Sequence, residues 1–116
     1  MSCAISPLCR GLLWAGLLFG SFPVLADYHV VGQHNKTLVM AGEPVQTLQI
    51  KVGDAIRFEN QDPFFHNIFS MSELKPFDLG SFPQGEWREV VFDQPGMAEI
   101  ECAIHPRMFM QLEVIE

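Results

Sequence analysis

Residues 87 to 110 read Trp87-Arg-Glu-Val-Val-Phe92-Asp-Gln-Pro-Gly96-Met-Ala-Glu-Ile-Glu-Cys102-Ala-Ile-His105-Pro-Arg-Met108-Phe-Met110. Residues 87–92 and 97–102 are two short apolar-rich runs, and Asp93, Pro95 and Gly96 between them are turn formers, so the stretch predicts a β-hairpin. Phe109-Met-Gln-Leu-Glu-Val-Ile115 alternates apolar and polar and predicts a further strand. Cys102 then closes one strand, and His105 sits in the loop before the next.

Working outward, Gln46-Thr-Leu-Gln-Ile-Lys-Val52 alternates, Gly53-Asp54 makes a turn, and Ala55-Ile-Arg-Phe-Glu59 alternates again, two strands with one buried face each. Residues 65–69 form another apolar stretch, and residues 27–38, ahead of the Gly42-Glu-Pro44 turn, supply a first strand. No segment has a helical period. Residues 70–85 have two prolines and two glycines with no sustained period and are expected to be a long surface excursion. Six to eight short strands at this spacing predict an all-β Greek-key sandwich or barrel.

The chain has 116 residues, room for one domain. Arg10, an apolar run over residues 11–19 too short to span a bilayer, and small residues up to Ala26 predict a secretory signal peptide, residues 1–26, cut before Asp27. The domain is then residues 27–116, periplasmic or secreted, with no membrane insertion after cleavage. Cleavage removes Cys3 and Cys9. Cys102 is left without an intramolecular disulfide partner in an oxidising compartment, as an inert core residue, an intermolecular linker or a reactive or metal-bound thiolate.

The whole chain carries 7 Lys plus Arg against 14 Asp plus Glu, a formal charge of −7. That balance argues against nucleic acid or an anionic membrane as partner and is compatible with a basic protein surface, or with solubility alone.

Soft sulfur beside imidazole suits copper, and two histidines, one cysteine and a weak axial methionine make the blue-copper arrangement. Cys102, His105 and Met108 or Met110 lie within nine residues, so one histidine is needed from elsewhere. His29 and His34 stand in polar surroundings near the start of the domain. His66 is embedded in Pro63-Phe-Phe-His-Asn-Ile-Phe69, where aromatic neighbours exclude water, and is the candidate.

These residues resemble the small cupredoxins of the plastocyanin and amicyanin type. The likeness runs over residues 30 to 115 through Val52-Gly-Asp54, Phe58, Asn60, Asp62, Phe65-His-Asn-Ile-Phe-Ser70, Phe77-Asp-Leu-Gly80, Gly85, Phe92, Pro95-Gly96 and Cys102-Ala-Ile-His-Pro-Arg-Met108. It implies one type 1 copper ion held by His66, Cys102, His105 and Met108, with Met110 as the alternative axial ligand. It implies that Asn67 ties the two ligand loops together. Pro106 stiffens the loop. Ile104 stands where the family has proline, so its amide is expected to reach the Cys102 sulfur.

The implied function is electron carriage, not catalysis, by a monomer that docks a c-type cytochrome or a periplasmic dehydrogenase through Phe64, Pro106 and Phe109 around His105. A copper storage or delivery module and a metal-free interaction domain are the alternatives.

Overall fold

The computed structural model describes residues 25–116; the expected signal segment, residues 1–26, lies outside the described residues except for its last two. Ten strands follow in order: β1 Tyr28–His34, β2 Thr37–Met40, β3 Glu43–Pro44, β4 Thr47–Lys51, β5 Ala55–Asn60, β6 His66–Ser70, β7 Phe77–Phe82, β8 Trp87–Val91, β9 Gly96–Cys102 and β10 Phe109–Ile115. Among the described residues no helix is long and apolar enough to cross a membrane.

Two five-stranded sheets face each other, one ordered β3-β2-β1-β5-β8 and the other β4-β10-β9-β6-β7. β8 and β9, expected as a hairpin, therefore lie in opposite sheets: β8 pairs with β5, β9 pairs with β10 and β6, and the Asp93–Pro95 turn crosses between the sheets. The alternation produces this layering directly. In β5, Ile56 and Phe58 turn inward while Arg57 and Glu59 turn out. In β10, Met110, Leu112 and Val114 turn inward while Gln111 and Glu113 turn out. The inward rows close a core that also takes Val31 and Leu38 from the first sheet and Ile68, Phe82, Ala98 and Ile100 from the second. β1 with β5 and β10 with β4 pair in parallel, and the remaining neighbours are antiparallel.

The strand count exceeds the expected six to eight for local reasons. The segment expected as one strand breaks at Asn35 and Lys36, both at positive φ (54° and 58°), into the hairpin β1–β2. The Gly42-Glu-Pro44 turn contributes the two-residue β3. The expected excursion over residues 70–85 contains β7, which pairs with β6. Its period is masked at Gly80, which takes φ 71° while its N–H donates to Asp78 Oδ1 at 2.9 Å. Phe77 and Leu79 nevertheless pack against the core.

At one end of the sandwich the β4–β5 turn is fastened by Asp54. Its buried carboxylate accepts the N–H groups of Asp27 (3.0 Å) and Lys51 (3.0 Å) and faces His29 Nε2 at 3.1 Å. The Asp27 amide is the largest cause holding its pKa down from 3.8 to about 2, against the opposing effect of burial. A carboxyl more acidic in the folded chain than in the unfolded one stabilises the fold above its unfolded pKa. That contribution disappears as pH falls from 3.8 towards about 2. Asp54→Asn is therefore expected to cost about 2 kcal/mol at neutral pH and to flatten stability in that acid window, measured by denaturant melts against pH.

Candidate metal centre

At the opposite end of the sandwich β6 begins, β9 ends and β10 begins, so the sheet register brings residues 36 positions apart together. β6 pairs with β9 through Ile68 and Cys102. One step beyond, Ala103 N–H donates to Asn67 O at 3.0 Å. His66, at the first position of β6, thus stands beside the loop that follows Cys102. A bulge between Asn67 and Phe69 in the β6–β7 ladder accompanies this turn of the strand.

The loop itself is a β-turn. Met108 N–H donates to His105 O at 2.9 Å, and Pro106 occupies the second position of that turn, where its fixed φ is preorganised. The turn folds His105 back over Cys102. His66 Nδ1 and His105 Nδ1 stand 3.1 Å apart, and Cys102 Sγ lies 3.8 Å from each. All three donor atoms fall within 4.8 Å of one another. His66 and Cys102 are buried, and His105 is half-buried.

Each donor is oriented by a neighbour. Asp62 Oδ2 accepts the His66 Nε2–H at 2.7 Å, which leaves the Nδ1 lone pair aimed into the cluster. Burial pushes the Asp62 carboxyl up, but the Lys36 and Asn35 amides together with His66 outweigh it, and its pKa lies below the usual value. Burial first, then the nearby charges of His66 and Lys36, hold His105 below the ordinary imidazole range, with Asp62 partly opposing. A neutral imidazole is the form that binds metal. Asn67 N–H donates to Cys102 Sγ at 3.5 Å.

The expected sites are therefore placed as follows. His66, Cys102 and His105 converge; His29 is at the far end beside Asp54, and His34 is exposed at the end of β1. Asn67 does link the two loops, but through its backbone N–H and C=O; its side-chain Oδ1 is buried with no partner among the described residues. The amide donor on the sulfur among the described residues is that of Asn67; Ile104, half exposed, makes no such bond. Asp62 lies within the sequence likeness, which implies no role for it. Its four-residue spacing before His66 was the available signal.

Met108 and Met110 are both fully buried, and the strand register separates them. Met110 pairs with Ile100. Continued by two residues, the same register sets Met108 opposite Cys102, whose N–H donates to Met108 O at 3.1 Å. Residues directly opposite share a face with Cβ atoms about 5 Å apart, whereas Met110 lies roughly 7 Å further along the strand. Met108→Leu is expected to change the electron paramagnetic resonance spectrum and reduction potential of the copper-loaded protein. Met110→Leu should leave both in place and cost under about 1.5 kcal/mol of packing.

One thiolate and two imidazoles, with a buried thioether at the end of the turn before β10 and no carboxylate in the cluster, fit a single copper ion. No protein-family model matches the chain. The methylamine utilization protein MauL of Methylorubrum extorquens is 30% identical over 95 residues, covering 81% of this chain and 79% of MauL. The chain belongs to the MauL family of cupredoxins. Solved structures carry the same fold. A reduced amicyanin variant superposes with a TM-score of 0.65 at 19% identity, over 78% of this cupredoxin and 85% of amicyanin. A copper-containing nitrite reductase from Thermus scotoductus gives 0.67 at 23% identity, over 83% of this chain. The cupredoxin spans about a quarter, 24%, of that reductase, so the likeness concerns the fold of one part of it.

Proposed function

We propose that this cupredoxin carries single electrons between redox proteins through one type 1 copper, which His66, Cys102, His105 and Met108 would hold. The observation that carries the reading is the convergence of two Nδ1 atoms and one Sγ within 4.8 Å, with only His105 reaching towards the surface. Copper, when bound, supplies reversible one-electron chemistry.

The chain's own residues do the rest. His66, fixed by Asp62, and Cys102, fixed by the Asn67 amide, are held by two strands of one sheet, so the donor positions resist change when the metal's charge changes. Met108 is enclosed in the core, which excludes water from that side. Phe64 packs against the rings of His66 (5.2 Å) and His105 (5.5 Å) and shields them. The half-buried edge of His105, with exposed Phe64 and Ile104 around it, gives a partner its closest approach. Two of the three donors are buried and the third is half-buried, and no carboxylate joins the cluster among the described residues, which supports a carrier over an enzyme or a metal-delivery module.

The proposed compartment is the periplasm or cell exterior after cleavage between Ala26 and Asp27. Asp27 N lies 3.0 Å from Asp54 Oδ1, so the new terminal ammonium would be seated on that carboxylate. The proposed partner is a c-type cytochrome or a periplasmic dehydrogenase, and the role that its relative's name gives MauL, methylamine utilization, supports amine oxidation as the setting.

The copper-loaded protein is expected to bind one ion per chain and to show an intense visible thiolate-to-copper band with a type 1 paramagnetic resonance spectrum. Copper binding without that band would overturn the proposal.

A further inference from the structure

We propose that the cleft beside His105, rimmed by Lys36 and Arg107, receives a carboxylate-bearing face around the redox centre of a partner protein. This rests on the reading of His105 as the electron exit. It departs from the basic partner surface with which the net charge is compatible.

The overall balance is −7, yet the cations are unevenly committed. Arg57 pairs with Glu89 at 3.6 Å and lies between the rings of Tyr28 and Trp87, and Arg88 pairs with Glu86 at 3.2 Å. Lys36 and Arg107 enter no ion pair among the described residues, and both line one cleft of about 480 Å³ with Asn35, His105 and Pro106. Two elements distant in sequence, the β1–β2 turn and the β9–β10 loop, thus bring uncommitted positive charge to the two sides of the one half-exposed donor.

The placement of Lys36 is built. Asp62 accepts the amides of Asn35 (2.6 Å) and Lys36 (3.1 Å), which holds both residues in the left-handed region at φ 54° and 58°. The Lys36 ammonium lies 5.6 Å from the centre of the Phe64 ring, which itself packs on His105. Asp62, whose carboxylate accepts the Lys36 backbone amide, is buried with its oxygens already occupied by two amides and His66.

Screening decides which charges a docked partner meets. At about 0.1 M salt interactions fade over roughly 10 Å, so the rim outweighs carboxylates on the far strands. Rim charges of this kind speed encounter and set orientation more than they add affinity. Exposed Phe64 and Ile104 provide an apolar centre between them.

Two measurements test this, the first without copper. Amide spectra of the copper-free protein titrated with hexacyanocobaltate(III), a redox-inert trianion, should shift at Asn35, Lys36 and Arg107, and a Lys36→Glu/Arg107→Glu variant should lose those shifts. Equal shifts at Lys51 and Lys75, or shifts that survive the double reversal, would overturn the inference whatever metal the site holds. Second, the copper-loaded protein should exchange electrons about tenfold faster at a carboxylate-terminated than at an ammonium-terminated monolayer electrode, with the preference inverted in the variant. Faster exchange at the ammonium surface would also overturn it. Absence of the visible copper band is a separate result, which sinks the carrier reading and leaves the anion titration to decide the cleft.

Discussion

Cys102→Ser is expected to abolish the visible band of the copper-loaded protein and to weaken copper binding by on the order of a hundredfold or more. Losing an outer hydrogen-bond partner of a ligand already costs 10 to 100-fold, and here a ligand itself is lost. The sulfur faces both Nδ1 atoms at 3.8 Å and is almost fully buried, so nothing else nearby can substitute for it. Serine is close in size but offers a harder oxygen with a far less accessible anionic form, and it removes the thiolate orbital responsible for the colour. The fold should tolerate the change, because the β9–β10 ladder around it is carried by backbone hydrogen bonds. The competing account, in which Cys102 only fills the core, predicts a modest loss of stability and no effect on the spectrum. Retention of the band in Cys102→Ser would therefore remove the thiolate from the site. Visible absorption and a competitive copper titration read both outcomes.

Legibility in the sequence followed periodicity. Where one face of a strand is buried and the other wet, as in β5 and β10, the alternation of Ile56 and Phe58 with Arg57 and Glu59 identified both the strand and its inward face. Where a glycine or left-handed residue resets the phase, it did not. Gly80 hid β7, and the Asn35-Lys36 turn was unreadable because Lys is not a residue that seeks positive φ; Asp62, 26 positions away from Lys36, stabilises that turn. Long-range compensation of this kind has no local signature.

The donors were legible because their chemistry is rare. A cysteine and a histidine with two residues between them, the histidine before a proline, leave few alternatives, and burial among phenylalanines set His66 apart from His29 and His34. Their convergence was implied by the family resemblance and not by the residues themselves, since it depends on the register of β6 against β9. The choice between Met108 and Met110 was open for the same reason, both being inward by parity. The roles around the sulfur were also hidden. Whether the Asn67 or the Ile104 amide reaches Cys102 is set by strand pairing, and side-chain identity at those positions carries little information about it.

Asp62 is where fold and site meet, and its substitution separates the two. Asp62→Ala would strand the amides of Asn35 and Lys36 and the Nε2–H of His66 inside the protein, where each unpaired donor costs about 1 to 3 kcal/mol. Loss of several kcal/mol is expected, enough to unfold a domain of this size under mild conditions. Asp62→Asn keeps the volume but cannot keep the pattern, because the carboxylate is surrounded by three donors and the amide brings two more. If the amide oxygen takes the Oδ1 place and keeps the Asn35 N–H, its nitrogen takes the Oδ2 place, opposes the Lys36 N–H and donates to His66 Nε2. The imidazole must then carry its proton on Nδ1, the atom that faces Cys102 and His105 at 3.8 and 3.1 Å, where it competes with metal. If the amide is flipped, its nitrogen takes the Oδ1 place and meets the Asn35 donor instead, and the turn loosens. The folded Asn variant is accordingly expected to bind copper 10 to 100-fold more weakly. Asp62→Glu, which keeps an acceptor-only group, should recover part of the loss. An Asn variant that folds and binds copper as tightly as the parent would show that the carboxylate serves the turn alone.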